Sequence, residues 1–292
     1  MSAPLVDEPL AESAPLALRL AATRCRADPA TGESCAWNHG PWQFLRLMGL
    51  ALAPANNAGF YLGAIRSVTP RGSSPRVLVS AAADYSMLAH VLAAMRSLDC
   101  SPDVTVVDVC ETPLELSRWY AERVGVAIHT RASDILDLRD PDPFDLICTD
   151  NFLGRFEGAR RSALVEKWRD LLRPGGAAIT LNRISEARAP PMNFTPEQAA
   201  VFRALARKGA QSLREKMTFE AAELERLVDA YVTHPGPQAL VTRDGFLDAF
   251  LGAGFSVKDV SWGGIESGIR GDVAGPRVPR AGEYGRIIAL RR

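Results

Sequence analysis

The stretch Arg76-Val77-Leu78-Val79-Ser80-Ala81-Ala82-Ala83-Asp84-Tyr85-Ser86-Met87-Leu88 decides how the rest of the chain is read. An apolar, β-branched run enters a turn of very small residues. A helical pattern follows from Tyr85 to about Met95, with Leu88, Val91, Leu92 and Met95 on one face. Strand, tight turn and helix in this order open a βαβ unit. Such a turn sets backbone N–H groups and a helix N-terminus at the carboxyl end of the strand, where an anionic or polar ligand can be held. Small side chains let that backbone come close to the ligand. The glycines usual at such a turn are missing.

Downstream, the alternation continues. Val104 to Val109 reads as a strand ending at Asp108, and Thr112 to Arg123 as a helix with Thr112 as N-cap and Glu115 as its capping-box partner. A third strand, Val126 to Thr130, leads to Ser133-Asp134-Ile135. A fourth, Phe144 to Thr149, ends in Asp150-Asn151. A helix from Arg160 to Leu172 is stopped by Pro174-Gly175-Gly176, and Ala177 to Asn182 is a fifth strand. Short loops between alternating elements predict an α/β fold with a parallel, doubly wound Rossmann-like sheet and helices on both faces. Right-handed crossovers then line the strand ends along one edge.

The alternation breaks between about Ser185 and Pro237. There Thr195-Pro196-Glu197 opens one helix, with Thr as N-cap and Pro at the first position, and a second runs from about Phe219 to Val232. The segment is too long for a sheet connection and is placed to cover the ligand edge. Thr242 caps a further helix to about Ala253. Phe255 to Trp262 is a strand, Gly263 to Gly282 a loop rich in Gly and Pro, and Glu283 to Leu290 a last strand. Upstream, residues 1 to about 35 read as a ragged terminus with a short helix from Leu16 to Arg26. Pro41 suits the first turn of a helix running to about Leu52, and Asn56 to Val68 reads as another. The expected organisation is an N-terminal helical extension over 1–70, a core over 71–184 and 241–292, and a helical insertion over 185–240.

Composition narrows the classes of partner. The 292 residues carry 34 basic and 34 acidic side chains, so no broad basic surface for nucleic acid is predicted. No run is apolar enough to span a bilayer, and Met1 to Ala14 is acidic and Pro-containing, unlike a signal peptide. The five cysteines form no C-x-x-C pair, which favours a reduced, cytoplasmic setting over a disulfide framework. No metal cluster and no Ser/His/Asp arrangement is expected. The partner expected is a small molecule, and a homodimer is compatible with the pattern.

From residue 76 to the end, order and punctuation resemble a class I S-adenosylmethionine (SAM)-dependent methyltransferase. The matching stretches are Val77-Leu78 before the small-residue turn, Val106-Val107-Asp108, Ala132-Ser133-Asp134-Ile135, Phe144-Asp145-Leu146-Ile147, and Leu172-Arg173-Pro174-Gly175-Gly176. The resemblance implies a seven-stranded sheet whose last strand is antiparallel and inserted beside the fifth, with SAM as cofactor. It implies that Ser80, Ala81, Ala83 and Asp84 form the cofactor turn, that Asp108 accepts from the ribose hydroxyls, and that Asp134 and Ile135 meet the adenine edge and face. Asp150 and Asn151 then lie near the methionine moiety or the acceptor. The family's acid and three spaced glycines are replaced here by Val79, Ala81, Ala83 and Tyr85. Asp84 either replaces the lost acid or caps the following helix, and Tyr85 requires a different helix start or a ring that turns aside.

Methyl transfer needs alignment more than it needs a charged catalyst, and a base only where the acceptor loses a proton early. His39, beside Trp37 and Trp42, is the candidate base, against a structural role in its loop. Trp37, Trp42 and Tyr61 form either an acceptor wall or anchors for the N-terminal helices. Arg183 binds a substrate carboxylate or is solvated at the surface. Two rival readings accompany methyl transfer to a small molecule: a non-methylating SAM enzyme that closes a ring and releases methylthioadenosine, and a SAM-binding partner protein without catalysis.

Overall fold

The computed structural model describes residues 6–27, 32–185, 193–234, 241–266 and 283–292. The strands are β1 (Arg76–Ser80), β2 (Asp103–Asp108), β3 (His129–Ala132), β4 (Phe144–Asp150), β5 (Leu172–Ile184), β6 (Phe255–Gly263) and β7 (Glu283–Arg291). They form one sheet in the order β3-β2-β1-β4-β5-β7-β6, in which β7 runs antiparallel to both its neighbours. The other pairings are parallel, with Val79 of the central strand opposite Val106 on one side and Cys148 on the other. Parallel strands covered on both faces read as continuous apolar runs, and Val77, Leu78 and Val79 are all buried.

The helices are α1 (Leu10–Arg24), α2 (Ala36–Leu47), α3 (Ala58–Val68), α4 (Ser86–Ser97), α5 (Glu111–Arg123), α6 (Gly158–Leu171), α7 (Pro196–Arg214), α8 (Ala221–Thr233) and α9 (Arg243–Gly252). One sheet face packs Val77, Val79, Val104 and Val106 against residues of α3, α4 and α5 such as Tyr61, Leu88 and Tyr120. The other packs Leu78, Ile147 and Ile287 against Trp168 of α6 and Phe246 and Phe250 of α9. A third cluster lies away from the sheet. It joins Ala14 and Leu18 of α1 and Phe44 and Leu45 of α2 to Phe202 of α7 and Leu227 and Tyr231 of α8. The N-terminal helices and the inserted helices therefore share one core. Gly40 of α2 lets α8 come close, since a Cβ there would meet Leu227 Cδ1 at 2.5 Å.

Several expected boundaries move. The N-terminus is not ragged from residue 6 on: α1 begins at Leu10 and buries Ser13, Ala14 and Ala17. Helix α2 begins at Ala36 rather than Pro41, so Pro41 sits inside it. Thr112 does not cap α5. Cys110 holds the N-cap position, and the Thr112 hydroxyl lies 3.1 Å from Cys25 Sγ. Strand β3 starts at His129, and β5 runs on through Arg183 to Ile184 because β7 pairs with it from Ala177 to Ile184. Thr195 caps α7 with a reciprocal bond to Gln198, and Thr242 caps α9 by accepting from the Gly245 N–H. Most of the expected loop 263–282 lies outside the described residues. Among the described residues no helix is long and apolar enough to cross a membrane.

Candidate active site

The carboxyl ends of β1, β2, β3 and β4 meet along one edge, and the turn after β1 is its centre. Ala81 adopts φ 65°, the left-handed conformation that glycine takes at no cost. Its N–H donates to the Val107 carbonyl at 2.9 Å. The backbone thus keeps a glycine-like path through a residue that carries a methyl group. Tyr85 is accommodated by turning inward. Its ring stacks on Tyr120 with centroids 4.6 Å apart, its hydroxyl lies 2.8 Å from Ser13 Oγ, and α4 starts one residue later at Ser86. Ser80 does not present its hydroxyl to the edge, because that oxygen accepts from Trp168 Nε1 at 3.0 Å on the opposite face.

Asp84 is not available as a replacement for the missing acid. One carboxylate oxygen accepts from the Ser86 N–H at 2.8 Å, which is the capping role. The other pairs with Arg46 at 2.6 Å. Arg46 also pairs with Glu8 at 2.8 Å, so a buried acid–base–acid triad pins α2 to the turn. Gln43 of α2 donates to the same carboxylate at 3.4 Å, and its own Oε1 is buried with no hydrogen-bond partner. The Ala83 carbonyl lies 3.3 Å from His39 Nδ1. Three side chains of α2 therefore hold the turn.

At the end of β2, Asp108 accepts from the Ala82 N–H at 3.0 Å and from the Cys110 N–H at 2.8 Å. Burial pushes its pKa up, while His39 and the two N–H groups pull the other way. Each carboxylate oxygen retains a second lone pair, so hydroxyl donors can still be received. At the end of β3, Asp134 caps its own turn through the Leu136 N–H at 2.9 Å. Ile135 is only 4% exposed and belongs to the core beneath α6, so it offers no face to the edge. At the end of β4, Asp150 accepts from the Tyr61 hydroxyl at 2.6 Å. Burial raises Asp150 to about 6 against the downward pull of that bond. Tyr61 is fully buried and its own pKa is raised, first by burial and then by Asp150. Asn151 takes φ 50°, and its Oδ1 accepts from the Arg183 N–H at 3.0 Å, tying the ends of β4 and β5 together. Arg183 lies within β5, not beyond it.

The structure does not bring Trp37 and Trp42 together with Tyr61 as a wall. Trp37 stacks on His234 at 3.7 Å and packs near Tyr231 of α8, and Trp42 belongs to the same helical cluster. Tyr61 joins the opposite, sheet-covering cluster. His39 is 6% exposed. Burial lowers its pKa, but hydrogen bonds to Cys110 and Cys35 outweigh that and raise it to about 10. The structure also brings together Cys25, Cys35 and Cys110, whose sulfurs lie within 4.8 Å of one another. Spacing in sequence could not show this, because Cys110 joins the other two only through the fold. Arg46 and Gln43 were missed too; their signal was their spacing from His39, at positions 39, 43 and 46 of one helix face.

Comparison with known proteins agrees with the geometry. A family model described as "Methyltransferase domain" matches residues 88–176. No curated protein matches the chain. Among solved structures, a putative O-methyltransferase from Nostoc punctiforme is 19% identical with a TM-score of 0.50, covering 97% of this chain and 70% of that one. An O-methyltransferase family protein from Burkholderia thailandensis is 15% identical with a TM-score of 0.51, covering 87% of this chain and 60% of that one. The [4+2]-cyclase SpnF is 13% identical with a TM-score of 0.50, covering 79% of each chain. Identities this low speak for the fold. Residues 88–176 thus match a methyltransferase domain, and the seven-stranded order with β7 antiparallel and the acid closing β2 resemble a class I SAM-dependent methyltransferase, with Ala81, Ala83 and Tyr85 where that family has glycines.

Proposed function

We propose that the chain methylates a small-molecule acceptor held between the carboxyl edge of the sheet, with α3 beside it, and the helical layer of α2, α7 and α8. The observation that carries this reading is the set of bonds from α2 and α3 to the edge: His39 to Ala83, Arg46 to Asp84, and Tyr61 to Asp150. These place the additions at the strand ends and not on a remote surface. The residues present fit SAM. Ala81 keeps the turn open through its left-handed φ, Asp108 stands at the ribose position, and the unpartnered Gln43 Oε1 and the Asp150 carboxylate supply acceptors where an α-ammonium would lie. When bound, SAM supplies an electrophilic methyl group on a sulfonium.

The chain's own residues then have three tasks. Asp108 and the backbone of Ala81 to Ala83 hold the nucleoside end. Asp150, ionised above about pH 6 and oriented by Tyr61, holds the amino-acid end. The helical layer excludes water and aligns the acceptor, which is the main contribution an enzyme makes to such a displacement. Residues 1–70 and 185–240 serve as the acceptor side, and 71–184 with 241–292 as the cofactor side. A second reading, non-methylating use of SAM with release of methylthioadenosine, draws on the loss of the acid at Val79 and the commitment of Asp84 to Arg46. Incubation with SAM and a panel of small hydroxyl- and amine-bearing acceptors, followed by mass spectrometry, separates them. S-adenosylhomocysteine together with a methylated acceptor supports methyl transfer, and methylthioadenosine supports the second reading. SAM returned unchanged, with no binding, contradicts both.

A further inference from the structure

Three cysteines far apart in sequence converge behind the cofactor turn. Cys25 is the C-cap of α1, Cys35 the N-cap of α2, and Cys110 the N-cap of α5. Cys110 Sγ lies 3.6 Å from Cys25 Sγ and 3.5 Å from Cys35 Sγ, and all five cysteines of the chain are free thiols. A disulfide would bring two of the sulfurs to roughly 2.05 Å and leave the third without a partner. Thiolates around a tetrahedral Zn²⁺ at roughly 2.3 Å stand roughly 3.8 Å apart, close to the two distances from Cys110, and the three sulfurs all lie within 4.8 Å of one another.

The surroundings also match a metal centre. The His39 ring interacts with the Cys35 and Cys110 thiols. Its Nδ1 lies 3.3 Å from the Ala83 carbonyl, the outer contact that orients a metal-ligating imidazole. The Thr112 hydroxyl, freed from helix capping, stands 3.1 Å from Cys25 Sγ and can donate to a thiolate there. A bridge between Ala27 and Ser34 and a bond from Ser34 Oγ to the Cys25 carbonyl hold the ends of the segment carrying Cys25 and Cys35 together.

We propose that Cys25, Cys35 and Cys110, with His39 as fourth ligand, form a structural Zn²⁺ site that clamps the N-terminal helices to the cofactor-binding edge. Three thiolates and a neutral imidazole bind one Zn²⁺, the protons those four groups carried being released to solvent, with no change of oxidation state. Four protein ligands close the coordination sphere, so the metal organises and does not catalyse. Its position gives it leverage on the cofactor. The Cys110 N–H donates to Asp108, the ribose acid, and the His39 ring touches the carbonyl of Ala83 in the turn. The zinc proposal stands on the cluster's geometry, and only this leverage on the cofactor rests on the proposed SAM site.

The test uses the full chain purified without chelator. Elemental analysis is expected to find about one zinc per chain, released when a mercurial titrates the thiols. Replacement by Co²⁺ should give sulfur-to-cobalt charge-transfer bands and d–d bands of tetrahedral intensity. Cys35→Ser should abolish those bands, and His39→Ala should shift the d–d envelope. Thr112→Val, which removes only the outer contact, should weaken metal retention roughly tenfold. Cys100→Ser, outside the cluster, should retain full metal content. A wild type that holds no zinc and gives no cobalt spectrum at micromolar Co²⁺ overturns the proposal whatever the variants do, as does a disulfide between any two of the three cysteines. If metal binds but its removal leaves affinity for S-adenosylhomocysteine unchanged, the claimed leverage on the cofactor falls. A wild type that holds zinc but shows no SAM binding refutes the functional reading alone.

Discussion

At the scale of single residues, the site stores strain and charge in identifiable places. Ala81 at φ 65° pays for a conformation that glycine adopts freely, at a cost of about 1–2 kcal/mol. Ala81→Gly is therefore expected to stabilise the protein by about 0.5–1 kcal/mol, net of the added chain entropy of glycine, as measured by denaturant unfolding. Asp150 makes a pH prediction. Its folded pKa of about 6 lies above the unfolded carboxylate value, so the folded state binds the proton more tightly. Stability from this group is present below the unfolded value and lost as pH rises through about 6. Asp150→Asn should raise the midpoint of thermal unfolding at pH 8 and leave it nearly unchanged at pH 4, while weakening SAM binding at pH 8 and leaving it nearly unchanged at pH 4. In the wild type, SAM affinity should rise with pH through about 6. The roles of these residues were unequally legible. The acid at 108 declared itself by closing an apolar run. The position of Ala81 in the turn was readable, but its φ was not, because alanine gives no sign of a left-handed backbone.

At the scale of elements, α2 is the piece that carries most of the argument. Its side chains Arg46 and Asp84's partner Gln43 hold the turn after β1, and its other face enters the cluster with α7 and α8. The side chain of Arg46 is 4% exposed and faces two acids, Glu8 and Asp84. Removing one partner of a buried ionic cluster leaves uncompensated charge, and Arg46→Met is expected to cost about 3–5 kcal/mol in chemical denaturation. A variant as stable as the wild type would show that the triad is solvated. The strands of the sheet were legible because period and turn residues agree, and because acids close β2 and β4. The N-terminal helices were less so. Pro41 suggested a helix start, yet Ala36 to Gly40 continue the helix upstream, where packing against α1 and α8 outweighs the signal of the proline. Tyr85 showed the same limit, since only the stack on Tyr120 explains why a bulky ring is tolerated there.

At the scale of the whole molecule, one sheet edge faces one helical layer built from two distant parts of the chain. Ligand should therefore slow amide exchange in residues 36–68 and 196–233 as well as around Ser80 to Asp84 and Asp108. Protection confined to the core would leave the helical layer as a docking surface for another chain. All of this rests on one claim, that the edge holds SAM despite the departed glycines. The direct measurement is a calorimetric titration of the wild type and of Asp108→Ala with S-adenosylhomocysteine, with circular dichroism as the control for folding. The account predicts saturable binding at one site per chain, weakened roughly ten- to a hundredfold by the loss of about 1.5–3 kcal/mol of charge-assisted hydrogen bonding. No heat of binding to the wild type at millimolar ligand, or equal affinity in a folded variant, would contradict it.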